Sequence, residues 1–227
     1  ASIYVKRFIL IMIASLLFIG GCQVDTYPEV PAFEDEFTRE FLPSTEEVEE
    51  GYYLFESKTG GYQMLFPENA RVSKFGYERN GDGFEFLRYD HPYDNDQIYV
   101  RHTLTYNIHE REDFERILNI RLKLLSERVG YDGDYEKLET PDKDIYYAHS
   151  IQNVKVDNES HSVLRTFAYI VPKEGMFTLE FTHSSSCNRE IEAINCPIDP
   201  EEQKEDAFKM MESVKFNDSR IGEKDPE

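Results

Sequence analysis

The stretch from Ile98 to Ile108, IYVRHTLTYNI, alternates apolar with polar side chains and is the clearest long strand in the chain. Successive side chains of an extended strand point to opposite faces, so a two-residue period of this length requires a half-buried β-strand and a sheet to receive it. The rest of the chain has to supply that sheet. Residues 52–56 and 62–66 read as strands around the turn-forming Lys58-Thr59-Gly60-Gly61, and residues 84–89 follow the hairpin-like Asn80-Gly81-Asp82-Gly83.

The period then changes. From 110 to 129, Phe114, Ile117, Leu118, Leu122, Leu125 and Val129 recur at three- and four-residue intervals behind an acidic first turn, and Gly130 supplies a stop. That pattern predicts an amphipathic helix with one face on a core. Strands at 145–156, 162–171 and 176–183, separated by Asp157-Asn158-Glu159-Ser160 and Pro172-Lys173-Glu174-Gly175, predict an antiparallel meander. A second helix at 201–213 turns Ala207, Met210 and Met211 inward, and 214–216 closes the domain as a short strand. Strands and helices without strict alternation give an α+β fold class: a twisted antiparallel sheet covered by helices.

The amino terminus has a different design. Lys6 and Arg7 precede a 12-residue apolar run, Phe8 to Ile19, which ends in Gly20-Gly21-Cys22. A membrane-spanning helix needs roughly 20 such residues, whereas a secretory signal needs roughly 7 to 15 behind a positive start. The run is therefore read as a signal peptide. Ile19-Gly20-Gly21-Cys22 resembles the lipobox of bacterial lipoprotein precursors, which implies lipid on Cys22 and cleavage before it. Two acyl chains, at about 0.8 kcal/mol per buried CH2, anchor a protein stably without a spanning helix.

This divides the chain into a signal peptide (1–21), an acidic, Pro-containing tether (22–50), a single α+β domain (51–217) and a charged tail (218–227). Within the tether, Phe33, Phe37 and Phe41 are spaced four apart, a stripe suited to one face of a short helix that packs on its own domain or meets a partner. The expected location is the extracytoplasmic face of a cell membrane. Of the three cysteines, lipidation of Cys22 leaves the pair Cys187 and Cys196, which an oxidising compartment allows to form a disulfide.

The order of the elements resembles the PsbP/Mog1-like superfamily. An aromatic-rich strand ending at proline, GYQMLFPENA, opens the domain, and a helix followed by a short hydrophobic strand, AFKMMESVKF, closes it. The resemblance spans residues 52–216 and implies a fold; it transfers no activity, because such folds serve unrelated functions.

Signals for chemistry are sparse. With 45 acidic against 25 basic side chains and a net charge of -20, the surface repels nucleic acid, and no basic stripe interrupts it. The chain contains no P-loop, GxGxxG, GxSxG or HExxH motif, so no cofactor and no catalytic residue is expected. The six histidines are His91, His102, His109, His149, His161 and His183, of which His102, His149 and His161 are read as half-exposed structural residues in strands. His183-Ser184-Ser185-Ser186-Cys187 sets a base near hydroxyls, but sequence proximity does not make a triad, and it is read as a polar strand end.

Glu78, Asn80 and Asp82 alternate before Gly83 like the start of an EF-hand loop, making them partial calcium candidates. The twelfth position is Tyr89 rather than a bidentate glutamate, so no metal site is assigned and a hairpin turn is expected instead. The functional expectation is a membrane-tethered binding or accessory module, not an enzyme, partnered by an envelope protein or ligand. A calcium-responsive surface protein is the alternative, with an envelope hydrolase behind it.

Overall fold

Eleven strands and four helices are present among residues 27–93, 97–108, 114–156, 159–174, 177–187 and 197–217, which the computed structural model describes. In chain order they are α1 (Pro31–Glu34), α2 (Glu36–Arg39), β1 (Glu47–Glu49), β2 (Tyr52–Glu56), β3 (Tyr62–Pro67), β4 (Arg71–Asn80), β5 (Phe84–Tyr93), β6 (Ile98–Ile108), α3 (Phe114–Val129), β7 (Glu136–Glu139), β8 (Lys143–Val156), β9 (Glu159–Pro172), β10 (Phe177–Cys187), α4 (Pro200–Ser213) and β11 (Lys215–Phe216). The alternating stretch becomes β6, inside a seven-stranded sheet of order β4-β5-β6-β10-β9-β8-β7. Its pairings are all antiparallel, and β8, β9 and β10 form the expected meander.

A second sheet is the main departure from expectation. Strands β1-β2-β3-β11 form a four-stranded sheet of their own, so one face of the large sheet is covered by strands together with α4 rather than by helices alone. The reason is aromatic bulk. Phe55, Tyr62, Met64 and Phe66 of the small sheet fill one core with Leu87, Tyr89, Leu104, Tyr106, Phe177, Leu179 and Phe181 of the large one. On the opposite face α3 lays Leu125 and Val129 on Ala148 and Phe167, and Leu118 on Tyr169 and Val171. With both faces covered, β9 is buried continuously from Thr166 to Pro172.

The stretch read as a tether contributes to this core. Ala32, Phe33, Phe41 and Leu42 are buried, and the Phe41 ring stacks on Phe55 at 5.3 Å. Asp35 caps α2 by accepting from the Thr38 backbone N–H at 2.7 Å, while the Thr38 hydroxyl accepts from the N–H of Val72 at 2.9 Å and so ties α2 to β4. The folded domain therefore begins within 22–50, and the phenylalanine stripe packs inward.

Two local devices join the sheets. Glu85, buried on β5, accepts from the Ser57 hydroxyl at 2.6 Å, the Lys58 N–H at 3.0 Å and the Tyr77 hydroxyl at 3.1 Å. The β2–β3 turn is thereby fastened to the large sheet. At Gly61 the chain passes so close to Tyr106 that a Cβ would sit 2.3 Å from the ring. Helix α3 ends where expected, with Gly130 at φ 66°. Helix α4 starts on Pro200 with Asp199 as its cap.

Candidate functional site

The inner face of the large sheet is mostly apolar, with Glu85 toward one end and a histidine cluster toward the other. There β5, β6 and β10 present His91, His102 and His183 in phase with the core residues Leu87, Leu104 and Phe181. His102 and His183 are paired directly across the β6–β10 ladder, and Tyr89 faces His102 across β5–β6. The rings form a column. Tyr89 and His91 lie nearly parallel to His102 at 4.5 and 5.6 Å, and His183 meets it edge-on at 4.8 Å.

A cavity of about 160 Å³ opens against this column. His91, His102 and His183 line it from the large sheet, Asp206 and Met210 from α4, and Tyr52, Glu68 and Asn69 from the small sheet and its following turn. Tyr93 also lines the cavity and donates to Glu202 at 2.7 Å. At its edge the Lys209 ammonium sits 3.9 Å from the Tyr52 ring centre and pairs with Glu49.

With the Gln203 amide oxygen turned toward Ser185 and His183, and its Nε2 left buried without a partner, the hydrogen bonds assign the ring protons. Ser185 donates to Gln203 Oε1 at 2.6 Å, and His183 Nε2 approaches both Ser185 Oγ and Gln203 Oε1, at 3.0 and 3.2 Å. An amide oxygen only accepts, and the serine hydrogen is already committed, so His183 Nε2 is the donor. Burial lowers the pKa of His183 to about 4 and that of His102 well below its usual value, the latter lowered further by its histidine neighbours; both rings are neutral. His183 Nδ1 is then an acceptor, and the hydrogen it receives comes from His102 Nε2, 3.0 Å away. The remaining nitrogen, His102 Nδ1, is buried and has no hydrogen-bond partner.

His91 follows the same logic. Its Nδ1 lies 3.1 Å from the Pro92 carbonyl, which can only accept, and burial lowers its pKa, so Nε2 carries the lone pair. The pocket is therefore rich in acceptors. Asp206 adds a carboxylate whose pKa is raised by burial.

The reading of His102 as half-exposed is corrected: it is 1% exposed, on the core face. His149 is half-buried as expected and lies 2.9 Å from Thr166 Oγ1 through Nδ1. His183 and Ser185 do meet, but Ser185 is fully buried and its hydrogen goes to Gln203, an arrangement that fixes a tautomer rather than exposing a nucleophile. Glu78, Asn80 and Asp82 lie on and just after β4, and Asp82 accepts from Arg79 at 2.7 Å within the hairpin turn. Among the described residues no three His, Cys, Asp or Glu side chains converge as a metal site. Cys187 ends β10; Cys22, Cys196 and His109 lie outside the described residues, as does the side chain of His161.

A family described as "Putative lipoprotein YvcA", labelled jointly with Mog1p, matches residues 28–215. The chain belongs to that family. A Bacillus subtilis (strain 168) protein of the same description is 32% identical over 196 residues, covering 83% of this chain and 78% of that one. A solved structure of a mutant of the protein Mog1 aligns with a TM-score of 0.44 at 10% identity, over 75% of this chain and 99% of the other. The matched family segment contains every residue that lines the cavity, and it includes α1 and α2 of the stretch read as a tether.

Proposed function

We propose that the chain is an extracytoplasmic lipoprotein, held to the membrane by lipid on Cys22, whose domain is a non-catalytic binding module that uses the cavity over His91, His102 and His183. The observation that carries this reading is the unpartnered, buried Nδ1 of His102 beside that cavity. A buried polar atom left without a partner costs about 1–3 kcal/mol, a penalty that a complementary ligand removes. The non-catalytic part rests on the same groups. Burial holds the histidines neutral, His102 is hydrogen-bonded to His183, and the Ser185 hydroxyl beside them is committed to Gln203.

The test uses the full chain and a small-molecule extract of its native envelope. The extract raises the melting temperature of the wild type, and Asn69→Trp, which fills the pocket mouth, abolishes the effect. Equal stabilisation of both proteins, or none of the wild type, rejects the pocket as the binding site. Anchoring is tested separately: Cys22→Ser shifts the protein from the detergent phase to the aqueous phase, or leaves an uncleaved precursor. Wild-type protein that stays in the aqueous phase rejects the lipid anchor.

A further inference from the structure

We propose that this pocket takes the head of an organic cation, a primary ammonium or a guanidinium group. The inference rests on the pocket being a binding site, and it names the chemistry that the pocket selects. The geometry of the hydrogen-bond chain is the first argument. Donation runs from His102 Nε2 to His183 Nδ1 and from His183 Nε2 to Ser185 and Gln203, so the free end of the chain, His102 Nδ1, is a lone pair. His91 adds a second lone pair at Nε2, because its Nδ1 hydrogen is directed to the Pro92 carbonyl. His91 and His102 both line the pocket, and imidazole lone pairs beside it favour a ligand made of donors.

The mouth selects further. Glu68 and Asp206 line it, and Glu202 stands behind Tyr93, so the carboxylates around the opening favour positive charge. The rim already accommodates such a group: Lys209 places its ammonium against the Tyr52 ring, in the geometry of a cation–π contact. Size narrows the choice. The cavity is small, about 160 Å³, which suits a guanidinium or a short alkylammonium head with the rest of the ligand outside.

A metal ion fits less well. His102 Nε2 and His183 Nδ1, 3.0 Å apart, share a hydrogen and are not available together as ligands. The cation can come from a free amine or from a lysine or arginine side chain on another protein. Both present the same head group to the pocket.

Isothermal titration of the full chain, in about 150 mM salt to suppress diffuse ion binding, uses butylammonium, L-argininamide and an end-blocked Gly-Lys-Gly peptide. 1-Butanol, butyrate and zinc serve as competitors of other chemistry. Saturable one-to-one binding of at least one cation is expected, weakened about tenfold in Asp206→Asn and in Glu68→Gln, two substitutions near the surface that leave the histidine column in place. Binding by the peptide assigns the source to a protein side chain; binding by butylammonium or argininamide but not by the peptide assigns it to a free amine. If butyrate, butanol or zinc saturates the site and the cations do not, the cation inference is overturned and the pocket reading survives. If no probe binds while the envelope extract still stabilises the wild type but not Asn69→Trp, the cation inference alone falls. If the extract also fails, both fall.

Discussion

His183 Nδ1 lies 3.0 Å from His102 Nε2 across the β6–β10 ladder, and each of the two residues is 1% exposed. That relationship makes the fold acid-sensitive. Burial lowers the His183 pKa from 6.5 to about 4, and lowers that of His102 as well. The unfolded chain therefore binds protons that the folded one refuses. Stability is fully present above about pH 6.5 and is lost as pH falls toward 4, by up to about 3 kcal/mol for His183 at 1.36 kcal/mol per unit. Glu180 and Asp206, whose pKa values burial raises, act in the opposite sense and partly offset the loss. Urea unfolding at pH 7, 6 and 5 is expected to show the decline, and His183→Gln to flatten it; an unchanged slope in that variant contradicts the assignment.

A second expectation concerns Gly61. Any Cβ there meets the buried Tyr106 ring at 2.3 Å, whereas a Cβ at Gly83 meets nothing within 4 Å. Overpacking of this kind costs about 1–3 kcal/mol. Gly61→Ala is thus expected to lower the denaturation midpoint clearly more than Gly83→Ala, and equal midpoints would show that the two sheets can separate at the turn without penalty.

The extent of the domain can be measured at Phe41. Its ring is fully buried and stacked on Phe55, so Phe41→Ala is expected to destabilise by about 3–5 kcal/mol, while the half-buried Phe37 costs less. Were residues 31–42 a mere tether, neither substitution would move the unfolding transition. Limited proteolysis gives a second readout, since cleavage between 31 and 42 should be suppressed in the native protein and appear in Phe41→Ala.

These sites differ in how openly the sequence displays them. Strand β6, the meander, α4 and the buried face of α3 follow from periodicity, because their apolar residues recur in phase with their geometry. Strand β4 does not. Its register shifts between Val72 and Tyr77, Phe75 points fully into solvent, and most of its side chains are exposed, so no alternation survives to be read. The short β1 and β7 expose nearly every residue and carry equally little pattern.

The histidine column had a signal that residue type concealed. His102 falls in phase with Val100, Leu104 and Tyr106, and His183 with Phe177, Leu179 and Phe181, so parity alone placed both on the core face. What parity could not supply was register. The pairing of β6 with β10 joins residues 81 positions apart, and Gln203 arrives from a helix beyond them. The hydrogen-bond chain beside the cavity depends on all three.

The last expectation links the cysteines to that cavity. Cys187 ends β10 two residues beyond Ser185, and the chain from there to α4 carries Cys196 before Gln203 enters the hydrogen-bond chain. A Cys187–Cys196 bond would close a short loop between the two elements that position His183, and loops of this size contribute on the order of 2–3 kcal/mol when unstrained. Non-reducing peptide mapping is expected to recover the two cysteines in one linked pair. Reduction should then lower the melting temperature and speed amide exchange at the start of α4, around Gln203, more than in β2 and β3. Two freely alkylated thiols in native protein would remove the bond, and uniform exchange on reduction would mean that the loop stabilises the domain without holding Gln203 against the histidines.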